Sequence, residues 1–170
     1  MNYVYLWRVS ALGALMVAAN AGAADVTVNI TGTVLSVSCD VNTTDATKDV
    51  DLGTIVAQQY ETAGKTSPPE DVAIGLTGCS STSTVTASFS GVADSTDPDL
   101  LAINSGSGAA SNLAIQILDS TSNPVALGDT IDFPVTDSAA TVEFKLRYKS
   151  TGTVTAGNAD STLNVDFAYQ

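Results

Sequence analysis

The chain has 170 residues, with 18 acidic and 6 basic side chains, no histidine and a formal net charge of −12. A surface this acidic repels nucleic acid and anionic lipid, which argues against both as partners. Without histidine, the commonest general base and metal ligand is also missing.

The first residues read as an address. Arg8 is the only charge ahead of an apolar stretch from Val9 to Ala19, and Ala21-Gly22-Ala23 offers small residues to a signal peptidase. That is the layout of a secretory signal peptide, expected over residues 1–23 with cleavage after Ala23 and Ala21 as the second choice. The stretch is too short to span a bilayer, and no later apolar run is long enough to do so. Roughly 147 residues remain, a normal size for one domain with a real core.

Next comes an alternating segment. Val26, Val28, Ile30 and Val34 share one face, with Gly32 among them, while Asp25, Thr27, Asn29, Thr31 and Thr33 take the other. Alternation of this kind marks a half-buried strand. It ends without a hairpin turn, so its partner is distant in sequence or on another molecule; an unpaired apolar strand is otherwise an aggregation hazard. On pattern alone it reads more simply as the first strand of a complete sandwich. Cys39 and Cys79 follow. An even cysteine count in an exported chain predicts one disulfide in an oxidising compartment. Closing a loop of about 40 residues is worth around 4 kcal/mol in the chain-entropy model.

Further strands are expected over Val50 to Ile55, Val72 to Thr77, Val85 to Ser90, Leu113 to Leu118 and Val142 to Tyr148. Turn-formers separate them at Ser67-Pro68-Pro69, Asp97-Pro98, Ser122-Asn123-Pro124 and Ala156-Gly157-Asn158. Asn104 to Asn112 reads as a Gly/Ser/Ala-rich loop. The last strand places Leu163, Val165, Phe167 and Tyr169 on one face and Thr162, Asn164, Asp166 and Ala168 on the other. It is expected to run to the last residue, held by neighbours, since terminal residues otherwise fray. Short strands at this spacing suggest a sandwich or small barrel. There is no internal repeat and no second-domain boundary.

Few residues invite chemistry. Asp94, Asp97 and Asp99 lie in one turn, but their spacing departs from the EF-hand pattern, and a solvated acidic loop is the better reading. No serine sits in a nucleophile elbow, and no phosphate-binding glycine loop occurs. Lys145, Arg147 and Lys149 alternate to one face and are expected to form a solvated basic stripe, with contact to an acidic neighbour as the alternative.

Several pieces together resemble the subunits of bacterial chaperone–usher fimbriae, and among them the type 1 fimbrial pilins. They are the alternating segment before Cys39, Val50-Asp51-Leu52-Gly53, Leu76-Thr77-Gly78-Cys79, Phe89-Ser90-Gly91-Val92-Ala93-Asp94, Leu113-Ala114-Ile115-Gln116-Ile117-Leu118-Asp119 and Arg147-Tyr148. Thr155-Ala156-Gly157-Asn158-Ala159 and the penultimate Tyr169 complete the set. Each is weak alone; their order and spacing are specific, and they cover essentially the whole mature chain.

The resemblance implies an all-β fold, an incomplete immunoglobulin-like sandwich lacking its last strand and completed by donor-strand exchange. A periplasmic chaperone would fill the groove first; the N-terminal extension of the next subunit would replace it in the fibre. In that scheme residues 24–35 are the donor extension and 36–170 the pilin domain. Val26, Val28, Ile30, Gly32 and Val34 would be the donor strand, with Gly32 allowing close approach. Gly157, Leu163, Val165, Phe167 and Tyr169 would belong to the acceptor groove and chaperone-binding surface. The expected partners are neighbouring fimbrial subunits, the chaperone and an outer-membrane usher, with no cofactor, metal or catalysis. The protein would be exported through the periplasm into a cell-surface fimbrium and contribute to cell adhesion, as a minor tip adaptor or a major shaft subunit. An adhesive tip subunit is the rival within the family; the chain's length argues against the usual two-domain adhesin. A free-standing secreted β-sandwich binding module is the rival outside it.

Overall fold

The computed structural model describes residues 38–80 and 83–170, so the expected signal, residues 1–23, and the expected donor extension, residues 24–35, lie outside the described part. Strands form where apolar side chains recur at every second position with Thr, Ser or charged residues between them, a pattern suited to a pleated surface with one buried face. The strands are β1 (Ser38–Val41), β2 (Glu70–Ser80), β3 (Thr84–Ser90), β4 (Leu101–Ala102), β5 (Ser111–Asp119), β6 (Pro124–Val125), β7 (Thr130–Pro134), β8 (Ala139–Thr155) and β9 (Asn164–Tyr169). One 3-10 turn, Ala57–Tyr60, lies between β1 and β2.

Two antiparallel sheets result. One has the order β1-β2-β8-β5-β4 with β6 also on β5; the other is β7-β3-β9. β2 contributes Val72, Ile74 and Leu76 to the core, β3 Val85, Ala87 and Phe89, and β8 Val142, Phe144, Leu146 and Tyr148. Phe89 of one sheet meets Phe144 of the other edge to face, ring centroids 5.1 Å apart. The Cys39–Cys79 disulfide is present and ties β1 to β2. Beside it Gly78 takes φ +65 where the β1–β2 register slips, the backbone a bulge requires.

Two expectations are corrected, and one strand was not expected. Val50 to Ile55 is not a strand: the Asp51 carboxylate accepts the Gly53 amide at 2.8 Å and Gly53 turns left-handed at φ +73, so the backbone leaves extended geometry. Ser67-Pro68-Pro69 does not reverse the chain. Thr66 already bridges Lys149 and Glu70 pairs with Leu146, so both sides lie along β8. The two prolines, lacking N–H groups, only interrupt that ladder. Conversely β7 went unread, although Ile131 and Phe133 alternate there and pack on the core.

Candidate functional site

Among the described residues β9 borders only β3, so its other side is the edge of the three-stranded sheet they form. Across from it, β1 ends at Val41 and the chain folds back along β2. Asn42 donates its amide to the Gly75 carbonyl at 3.1 Å, the Asp45 carboxylate accepts the Gly75 amide at 2.9 Å, and Lys48 donates to the Ala73 carbonyl and pairs with Asp45 at 2.9 Å. The Gly75 amide, then Lys48, hold the Asp45 carboxyl below its ordinary value. Side chains thus occupy the β2 edge here, while that of β9 faces a groove.

The groove has a volume of about 830 Å³ and reaches the interior between the sheets. Its floor is apolar: Val72 and Ile74 of β2, Phe144, Leu146 and Tyr148 of β8, Ile115 of β5 and Leu101 of β4. One wall is the segment 159–165 with Phe167; the other is Val41 and the segment 45–52. Burial pushes the Tyr148 hydroxyl up, and Asp160 and Asp51 add to the shift from the two walls.

The structure brings Leu163, Val165 and Phe167 onto this groove. All three are half-buried, as is Tyr169, whereas Thr162, Asn164, Asp166 and Ala168 between them are exposed. Tyr169 and Gly157 are not among the lining residues. Tyr169 instead donates its hydroxyl to the Cys39 carbonyl at 3.3 Å, linking β9 to β1. Gly157 lies against Ala109 and Ala110, where a Cβ would strike their backbone. Val26, Val28, Ile30, Gly32 and Val34, expected from the sequence to form a donor strand, lie outside the described residues. The floor and the wall at 159–162 went unread, because no local pattern marks residues that meet only across two sheets.

The basic stripe is half-buried, and each of its side chains has a partner within the chain. Lys145 pairs with Asp71 at 3.0 Å, Lys149 with Asp97 at 3.1 Å, and Arg147 donates to the Gln116 amide oxygen at 2.8 and 2.9 Å. The acidic turn is accounted for as well: the Asp94 carboxylate accepts the amides of Thr96 and Asp97, and Asp97 holds Lys149. Among the described residues no three His, Cys, Asp or Glu side chains are placed to hold a metal.

The fold recurs in known proteins. The chain belongs to the fimbrial protein family, whose model matches residues 28–170. It is 36% identical over 151 residues to protein FimG of Escherichia coli strain K12, covering 86% of each chain. It is 33% identical over 153 residues to the S-fimbrial adhesin protein SfaS of Escherichia coli O6:K15:H31, covering 90% of each. A solved chaperone–usher pilus matches with 26% identity and a TM-score of 0.65 over 88% of this chain and 97% of that one. The fold is the immunoglobulin-like pilin sandwich, and the protein is a structural subunit of a fimbrium at the cell surface. SfaS, called an adhesin, is matched over nine-tenths of its length, so the argument from length bears only on a two-domain adhesin.

Proposed function

We propose that the groove accepts an extended strand from a neighbouring subunit, laid along β9, and that residues 24–34 are the strand this subunit lends in turn. One observation carries the reading: β9 is only half-buried on its apolar face, whereas Val85, Ala87 and Phe89 of the adjoining β3 are 0% exposed. An apolar strand face over an open groove, at a sheet edge, is the arrangement that strand addition uses: main-chain bonds supply affinity and alternate side chains fill the groove. Burial of the donor side chains does not by itself offset the ordering of their backbone, so ladder bonds and completion of the acceptor's core must contribute. A periplasmic chaperone occupies the groove before assembly and an outer-membrane usher delivers the subunit. The work is non-covalent strand exchange, without catalysis.

The test is to append a copy of residues 24–34 after Gln170 through a short flexible linker. The extended chain should fold as a stable monomer without a chaperone, while the unextended chain aggregates or is degraded. An unextended chain that stays monomeric and stable alone, even without residues 24–34, would support a free-standing binding module instead.

A further inference from the structure

We propose that the strand taken by this groove carries lysine or arginine on its outward face, and therefore comes from a different chain rather than from a second copy of this one. The inference rests on the groove being a strand acceptor, and the two can fail separately.

The groove is apolar below and acidic above. Asp49 and Asp51 stand on one wall and Asp160 on the other. Asp45 and Lys48 on the same wall neutralise each other. The remaining described cations are engaged elsewhere or absent from the groove: Lys145 with Asp71, Lys149 with Asp97, Arg147 with Gln116, and Lys65 outside the lining. Asp49, Asp51 and Asp160 have no ion-pair partner among the described residues. Asp51 and Asp160 line the same groove as the Tyr148 phenol from opposite walls, and the upward push both give that phenol agrees with this placement.

A strand entering this space displaces water from the carboxylates, and a carboxylate losing water is destabilised unless a cation replaces it. On an inserted strand the apolar side chains point to the floor and the alternate ones to the mouth. In residues 24–34 the alternate side chains are Asp25, Thr27, Asn29, Thr31 and Thr33, and the only charged side chain is that of Asp25. A second copy would bring a further carboxylate to an acidic mouth. A donor with Lys or Arg at those positions meets complementary charge, which raises the association rate and disfavours the wrong partner. A subunit so built stands between unlike neighbours in the fibre and does not form a run of its own kind.

The probes are two fluorescent peptides: residues 24–34 as they stand, and the same peptide with Asp25→Lys and Thr31→Lys. Each is added to the refolding full chain and its association followed by anisotropy at low and high ionic strength. The lysine peptide should associate about tenfold faster at low salt, and lose that advantage at high salt. It should also lose it on a chain carrying Asp51→Asn and Asp160→Asn; the amide oxygen introduced by the first of these can still accept the Gly53 amide, so the turn is kept while the charge is removed. Equal rates at low salt, or an advantage that survives the asparagine substitutions, would overturn the charge preference. Binding of neither peptide would overturn the strand-acceptor reading itself.

Discussion

Gly157 shows what one missing side chain does. The chain after β8 runs against the loop before β5, with the Ala110 amide donating to the Asn158 carbonyl and the Asn158 amide to the Gly108 carbonyl, both at 2.8 Å. A Cβ on Gly157 would lie 2.6 Å from the Ala109 carbonyl oxygen and closer still to its carbon and to the Ala110 nitrogen. Backbone cannot swing aside as a flexible side chain can. Gly157→Ala should therefore destabilise the chain by about 2 kcal/mol or more. Urea unfolding of the strand-extended chain measures this, and an unchanged midpoint would show that the loops part freely. The glycine stood out in the sequence by its family position, but its partner did not, because Ala109 and Ala110 come from a separate loop. The same holds for Lys149 and Asp97: each was visible, their pairing was not.

Among the elements, the turn from β5 to β6 is built by one carboxylate. Asp119 accepts the amides of Thr121 and Asn123 and the Thr121 hydroxyl, each at 2.8 Å, and the Asn123 side-chain amide at 2.9 Å. The Asn123 bonds first, then those of Thr121, lower its pKa from 3.8 to about 2. A folded value below the unfolded one adds stability that is fully present above about pH 4 and is lost as pH falls toward about 2. In the strand-extended chain, Asp119→Ala should lower the urea midpoint at neutral pH, and the gap from the same chain without the substitution should narrow between about pH 4 and about pH 2. A gap independent of pH would mean that the charge is not what holds the turn. This turn was legible because Ser122-Asn123-Pro124 is strong local punctuation. The segment from Val50 to Ile55 misled for the opposite reason: its alternation is genuine, and Val50, Leu52 and Ile55 do pack on the core, but the Asp51–Gly53 turn overrides the extended backbone.

At the scale of the whole molecule, the disulfide fixes one border of the groove. Cys39 and Cys79 join β1 to β2, and Tyr169 reaches from β9 to the Cys39 carbonyl. Replacing both cysteines by serine should cost around 4 kcal/mol on the chain-entropy account, read by urea unfolding of the strand-extended chain. A loss below about 1 kcal/mol would show that the β1–β2 ladder holds that border without the bridge. By itself the sequence determined the strands with strict alternation, the single cysteine pair and the apolar face of β9, because these depend on periodicity along one segment. Only the tertiary structure decided that β9 is an edge among the described strands, that the floor beneath it comes from four strands, and that Asp51 and Asp160 line the same groove. Those facts follow from long-range strand pairing, in which residues far apart in the chain become neighbours, and no local pattern records which strand will be left without one.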